Sequence, residues 1–381
     1  MRESENGGIK NRESESRQST EEVSASGSRF SDSLILSFSD SRIPLLLADR
    51  SACLRALVLQ ALLGKAGDNP EVIELRALRE HDPLVAPLLA AQEPDGAWRK
   101  GELVWLGDAQ RLTTFALMRL GFLGFGPETG AVSHGADFLF SLQREDGAWE
   151  LPTGNPEIEG HEGYTMAPLQ TALPLRALAM AGYAQDPRAE RAYEWLLAQR
   201  LDDGAWPTGI AAGGTRGRVA GYRKMPHSRW GCRSNTTGAL LCLAYHPERC
   251  HGPEAQQALD LLLGRETREA STLGYEVTRL IGLAPTRGFF TFYGRFDLAV
   301  ILDLCRRIGA TLEDPRVASI VAFVRDLQGP YGLWDVTPPQ AARWVTFDLL
   351  RTLSGMDRAG NWMSYEPRTP FQTYPKQPRR Y

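Results

Sequence analysis

Gln143-Arg144-Glu145-Asp146-Gly147-Ala148-Trp149 is the stretch whose reading decides the fold. It recurs. Residues 92–98 and 328–334 also read Gln-x-x-x-Gly-x-Trp, and residues 199–206 read as the same pattern with one extra residue. Each copy closes an apolar helical run, at 84–91, 138–142, 195–198 and 323–327. A unit that returns at such intervals cannot bury its apolar face alone, so successive copies must stack on a shared core.

Between the copies the chain reads as helix pairs. Helices lead into the motif position at roughly 71–92, 128–143, 186–199, 253–265 and 314–328, and others follow it at roughly 107–122, 164–182, 230–246, 295–309 and 340–354. An earlier member of the second family spans 48–64. Asp186-Pro187 and Asp314-Pro315 start two helices of the first family, with Asp suited to the cap and Pro to the first turn. That family keeps one charged face (Asp186, Arg188, Glu190, Arg191, Glu194). The second family is apolar nearly all round, so it is buried on both sides.

These patterns predict an all-α fold, a single six-hairpin α/α toroid with an inner and an outer ring of helices. The toroid covers 31–355, after a disordered segment 1–30 and before an extended arm 356–381. In the motif, Gly permits the sharp exit from the outer helix, Trp fills the wedge between hairpins, and Gln bonds backbone at the next helix end. Pro174 should kink its inner helix. A worn copy is expected near 265–271, because Trp206 and Trp334 lie 128 residues apart, against 57 for Trp149 and Trp206.

Bulk properties narrow the function. The net charge of −3 excludes a nucleic-acid surface of general type. No apolar run is long enough to span a bilayer, and no signal-peptide pattern opens the chain, so a cytoplasmic location is expected. Five cysteines, an odd count, fit reduced thiols.

The recurring Gln-x-x-x-Gly-x-Trp after an apolar helix resembles the QW motif of squalene–hopene and other triterpene cyclases. The six-hairpin plan also resembles protein prenyltransferase β subunits. The resemblance implies a central cavity for a hydrophobic isoprenoid, lined by the N-terminal halves of the inner helices and the loops before them, with peripheral membrane contact as a route of uptake. The catalytic signatures of these families are not intact. There is no Asp-x-Asp-Asp and no Asp-Asp-x-x-Asp. Trp230-Gly231-Cys232 stands where a zinc-binding Asp-x-Cys would be, and Tyr293-Gly294-Arg295 lacks the later His.

Two carboxylates are candidate acids. Asp297 lies one turn into an inner helix, behind Phe289, Phe290, Phe292, Tyr293 and Arg295. An aromatic pocket would raise its pKa by desolvation and stabilise a carbocation through ring faces. The competing role is a helix-start contact or an Asp–Arg pair. Asp108 starts another inner helix, where capping competes with catalysis.

Candidate substrate contacts are Phe292, Tyr293, Arg295, Tyr164, Trp230, Asn235 and Trp344, with Arg218 and Arg223 from the Gly-rich basic loop 207–229. That loop either closes over a diphosphate or is a solvated surface loop. No cofactor is expected. The alternative is Zn²⁺ or Mg²⁺, with Cys232, His227 and His161 as the zinc ligand types present. The expected function is a non-standard, protonation-initiated cyclase. A non-catalytic lipid- or protein-binding toroid and a zinc-dependent prenyltransferase-like enzyme are the alternatives.

Overall fold

The computed structural model describes residues 42–99, 108–150, 168–207, 228, 230–264, 272–284, 297–356 and 362–364. A short helix α1 (Arg42–Leu47) precedes α2 (Ala52–Ala61), α3 (Pro70–Leu78) and α4 (Ala86–Ala90). Three hairpin pairs follow: α5 (Ala109–Phe122) with α6 (Gly130–Ser141), α7 (Pro168–Leu178) with α8 (Pro187–Ala198), and α9 (Arg233–Tyr245) with α10 (Pro253–Leu263). Then come α11 (Tyr275–Leu280), α12 (Leu298–Ile308), α13 (Pro315–Asp326) and α14 (Ala342–Leu353).

Two layers result. All eleven residues of α7 are buried, whereas α8 buries only Ala189, Ala192, Tyr193 and Leu196, one face. In the inner layer α5 packs on α7, α7 on α9, α9 on α12, α12 on α14 and α14 on α2. At the closing seam Arg79 donates to the Gly124 carbonyl after α5, where Gly124 lies beside Leu57 of α2. The architecture is thus an all-α toroid. Pro174 does sit inside α7, which ends in a wide-turn segment, Ala179–Tyr183, broken at Gly182.

The motif is the hinge between layers, and its bonds repeat. In four copies the Trp indole N–H donates to the carbonyl ten residues back: Leu88, Leu139 and Leu196 at 2.7 Å and Val324 at 2.6 Å. Each Trp backbone N–H donates to a threonine hydroxyl of the next inner helix, Thr113, Thr171, Thr236 or Thr346, at 3.0–3.2 Å. One residue therefore fastens its own outer helix to the following inner one. Gln143 Nε2 donates to Gly147 and, at 2.9 Å, to the Arg188 carbonyl at the start of α8. Gly147 has φ 92, and a Cβ there would lie 2.5 Å from the Arg191 carbonyl oxygen. Only glycine fits.

The third copy corrects the expectation of an inserted residue. Leu201 N–H donates to the Ala205 carbonyl as Arg144 does to Ala148, so Arg200, not Gln199, occupies the glutamine position. Its guanidinium bonds Gln257 of α10 instead. The expected worn copy at 265–271, the segment 1–30 and most of the arm lie outside the described residues.

Helix α11 was not expected and belongs to neither ring. It packs on α5 and α14, and reaches α7 through Glu276 and Arg176. Arg119 of α5 donates to the Leu280 carbonyl at 3.0 Å, and Arg279 lies over the Phe115 ring at 5.0 Å. Residues Glu276 to Leu280 are all buried. α11 therefore stands inside the inner ring, where the resemblance implies open space. Among the described residues no helix is long and apolar enough to cross a membrane. All five cysteines are buried and free of disulfides.

Candidate functional site

Asp297 is fully buried and caps α12. Its Oδ1 accepts from Gly274 N–H at 2.8 Å and Ala299 N–H at 3.0 Å, and its Oδ2 from Glu276 N–H at 2.7 Å. One carboxyl thus joins the starts of two helices, α11 and α12. Burial pushes its pKa up to about 7, with the nearby Glu276 adding to the rise and the three backbone N–H groups opposing it. Oδ1 carries two donors and Oδ2 one, so Oδ2 is the oxygen with room for a proton. The result is a carboxylic acid at the N-terminal end of an inner helix, protonated in an appreciable fraction at neutral pH.

Asp108 caps α5. Its Oδ1 accepts from Arg111 N–H at 2.8 Å, and Arg111 Nε lies 3.3 Å from Oδ2. Its side chain is 25% exposed, whereas Asp297 is fully buried. Asn235 is buried and bonded at both side-chain polar atoms: Oδ1 accepts from Leu169 N–H at 2.8 Å, and Nδ2 donates to the Cys232 sulfur at 3.2 Å. These bonds tie α9 to the start of α7. Trp230 is half-buried beside the bridge of Pro207 with Gly231.

Trp344 opens α14 and is 3% exposed, its ring 6.0 Å from that of Phe122 at the end of α5. It lines an open cleft of about 580 Å³ with Asp49, Arg50, Ser51, Asp82, Pro83, Leu84, Leu283, Leu333, Pro339, Gln340, Ala342 and Arg343. This cleft is at the N-terminal ends of α2 and α14. Asp82 within it was not singled out from the sequence. Its Oδ2 accepts from Ser51 Oγ at 2.5 Å and Cys53 N–H at 3.2 Å, and its Oδ1 from Leu84 N–H at 2.9 Å. The signal was present as Asp82-Pro83, the dipeptide that caps α8 and α13, but here the carboxylate caps a distant helix, α2.

The other sequence candidates, Phe292, Tyr293, Arg295, Tyr164, Arg218, Arg223, His227 and His161, lie outside the described residues. Among the described residues no three Cys, His, Asp or Glu side chains converge as metal ligands.

Asp297 and the cleft are linked through α11. Gly274, held by Asp297, packs on Val345, the residue after Trp344. Glu276, also held by Asp297, pairs with Arg176 and Arg279 at 3.0 and 2.6 Å. Burial pulls the Arg279 guanidinium down from its usual range, and Glu276 pulls it back up.

Residues 47–220, from the end of α1 through the third motif copy, match the family model of the squalene–hopene cyclase C-terminal domain. The chain resembles the terpenoid cyclase toroid superfamily. A squalene–hopene cyclase from Bradyrhizobium diazoefficiens is 32% identical over 127 residues, which is 32% of this chain and 18% of that cyclase. The match thus spans a small part of that relative. A type II terpene cyclase from Scytonema superposes with a TM-score of 0.31 at 15% identity, covering 71% of this chain and 95% of its own. A protein from Actinoplanes does so at 0.30 and 16%, covering 74% of this chain and 99% of its own. The terpenoid cyclase likeness rests on residues 47–220, which carry three of the four motif copies.

Proposed function

We propose that the protein processes a linear isoprenoid as a protonation-initiated cyclase of non-standard sequence, with Asp297 as the acid. The observation that carries this reading is a fully buried carboxyl, with its pKa near 7, at the inner-helix end of a squalene–hopene cyclase-like ring. Oδ2–H transfers its proton to one carbon of a terminal alkene, and the other carbon becomes a tertiary cation. The next double bond attacks that cation to close a ring. The final cation gives a proton to the waiting carboxylate or to water, or takes up water whose extra proton is released in the same way. The carboxylate left behind stays held by its three backbone N–H donors. Phe292 and Tyr293 are the aromatic faces this scheme assigns to the cation. Asp108, already a half-open cap paired with Arg111, is the lesser acid.

One observation favours a second reading, a non-catalytic toroid that binds an isoprenoid. α11 fills space between the inner helices α5, α7 and α14 with buried side chains. Incubation of the protein with geranylgeraniol, squalene and their diphosphate or epoxide forms, followed by gas chromatography–mass spectrometry, separates the two. Cyclic isomers are expected. Tight binding with no product supports the second reading and overturns the first.

A further inference from the structure

The cleft at the N-terminal ends of α2 and α14 has chemistry that the acid at Asp297 does not use. We propose that it binds an amphiphile, with an apolar chain against Leu84, Leu283, Leu333 and Trp344 and an anionic head at Arg50. Its volume of about 580 Å³ falls inside the range of roughly 300–1,000 Å³ usual for small-molecule sites.

The charges decide the polarity of the head. Two carboxylates line the cleft, and both are engaged. Asp82 is 3% exposed and accepts from Ser51, Cys53 and Leu84. Asp49 accepts from Ser51 N–H at 2.9 Å and from Arg343 at 3.2 Å. Arg343 is thereby matched, while Arg50 is exposed and meets no carboxylate among the described residues. A guanidinium fork recognises phosphate and carboxylate oxygens. A cation-headed or neutral chain would leave Arg50 unused.

The site does not rest on Asp297, and its test reads binding without turnover. Isothermal titration calorimetry of the full chain would use farnesyl monophosphate, dodecyl phosphate, farnesol and inorganic phosphate. The phosphate esters should bind, farnesol about tenfold more weakly, and inorganic phosphate not measurably. The tighter ester tells an isoprenyl from a straight chain. Arg50→Glu, at an exposed position, should keep its melting temperature and lose about tenfold in ester affinity. Leu283→Glu should lose binding of both ester and alcohol. Farnesol binding as tightly as its phosphate, unchanged affinity in Arg50→Glu, or no ester binding in the wild type would each overturn the proposal. A chain that makes no cyclic product can still pass this test.

Discussion

Arg176 and Glu276, separated by 100 residues, meet at 3.0 Å between side chains 4% and 3% exposed. With Arg279 on the other side of the carboxylate, the pair holds α11 inside the ring. A buried charge stripped of its partner is far costlier than an absent pair. Glu276→Ala, which takes away the carboxylate that two buried guanidiniums share, should cost about 3–5 kcal/mol in urea unfolding. A loss below about 1 kcal/mol, the range of an exposed pair, would mean that α11 is not anchored there.

The motif makes a graded prediction. Thr171→Val removes the acceptor of the buried Trp149 N–H and should cost about 1–3 kcal/mol. Gly147→Ala should cost more, because φ is 92 and the new Cβ meets the Arg191 carbonyl at 2.5 Å. Chemical denaturation of the two variants side by side checks the order.

Asp297 also sets a pH dependence. Its pKa rises from 3.8 to about 7 on folding. Between those values the folded chain keeps a proton that the unfolded chain has released. Stability from this group is therefore lost as pH rises from about 4 to about 7, and is level above that. Asp297→Asn carries no such proton. The wild type should lose stability relative to the Asn variant across that window, as read by urea midpoints at pH 4.5, 6 and 7.5. A constant difference would place the folded pKa near its ordinary value.

The C-terminal arm has a described anchor. Trp362 Nε1 donates to Asp314 at 3.0 Å, and Ser364 bonds Asp260 at 2.8 Å and Arg316 at 2.9 Å. Arg316 itself bridges the two aspartates at 2.6 and 2.7 Å, with all three side chains at most 1% exposed. Ser364→Ala should cost about 1 kcal/mol, and removal of residues 357–381 clearly more, in thermal melts.

Much of the fold was legible because each motif residue has a local job that its type announces. Gly147, Trp149 and Asp186-Pro187 could be assigned turn, wedge and cap without coordinates, and they fill those roles. α11 was not legible. At six residues it is too short to show a period, and its buried Glu276 and Arg279 read as surface charges until Arg176 arrives from another helix. Arg200 was misregistered because Gln199 lies next to it, and only the turn hydrogen bond separates them. Asp297 was named as a residue one turn into an inner helix behind a run of aromatics, and it instead caps that helix. The donors that hold it come from Gly274 and Glu276, distant in sequence, so its double cap could not be read there. Asp82 was missed for the same reason, since the helix it caps begins about 30 residues earlier.

The most direct measurement is the rate of cyclic product formation by Asp297→Asn against the wild type on whichever isoprenoid the wild type turns over. Asn keeps a carbonyl oxygen for two of the backbone donors but has no acidic proton. The variant should fold, by near-ultraviolet circular dichroism, with a rate that falls about a hundredfold or more. A folded variant that forms product at the wild-type rate would contradict Asp297 as the acid.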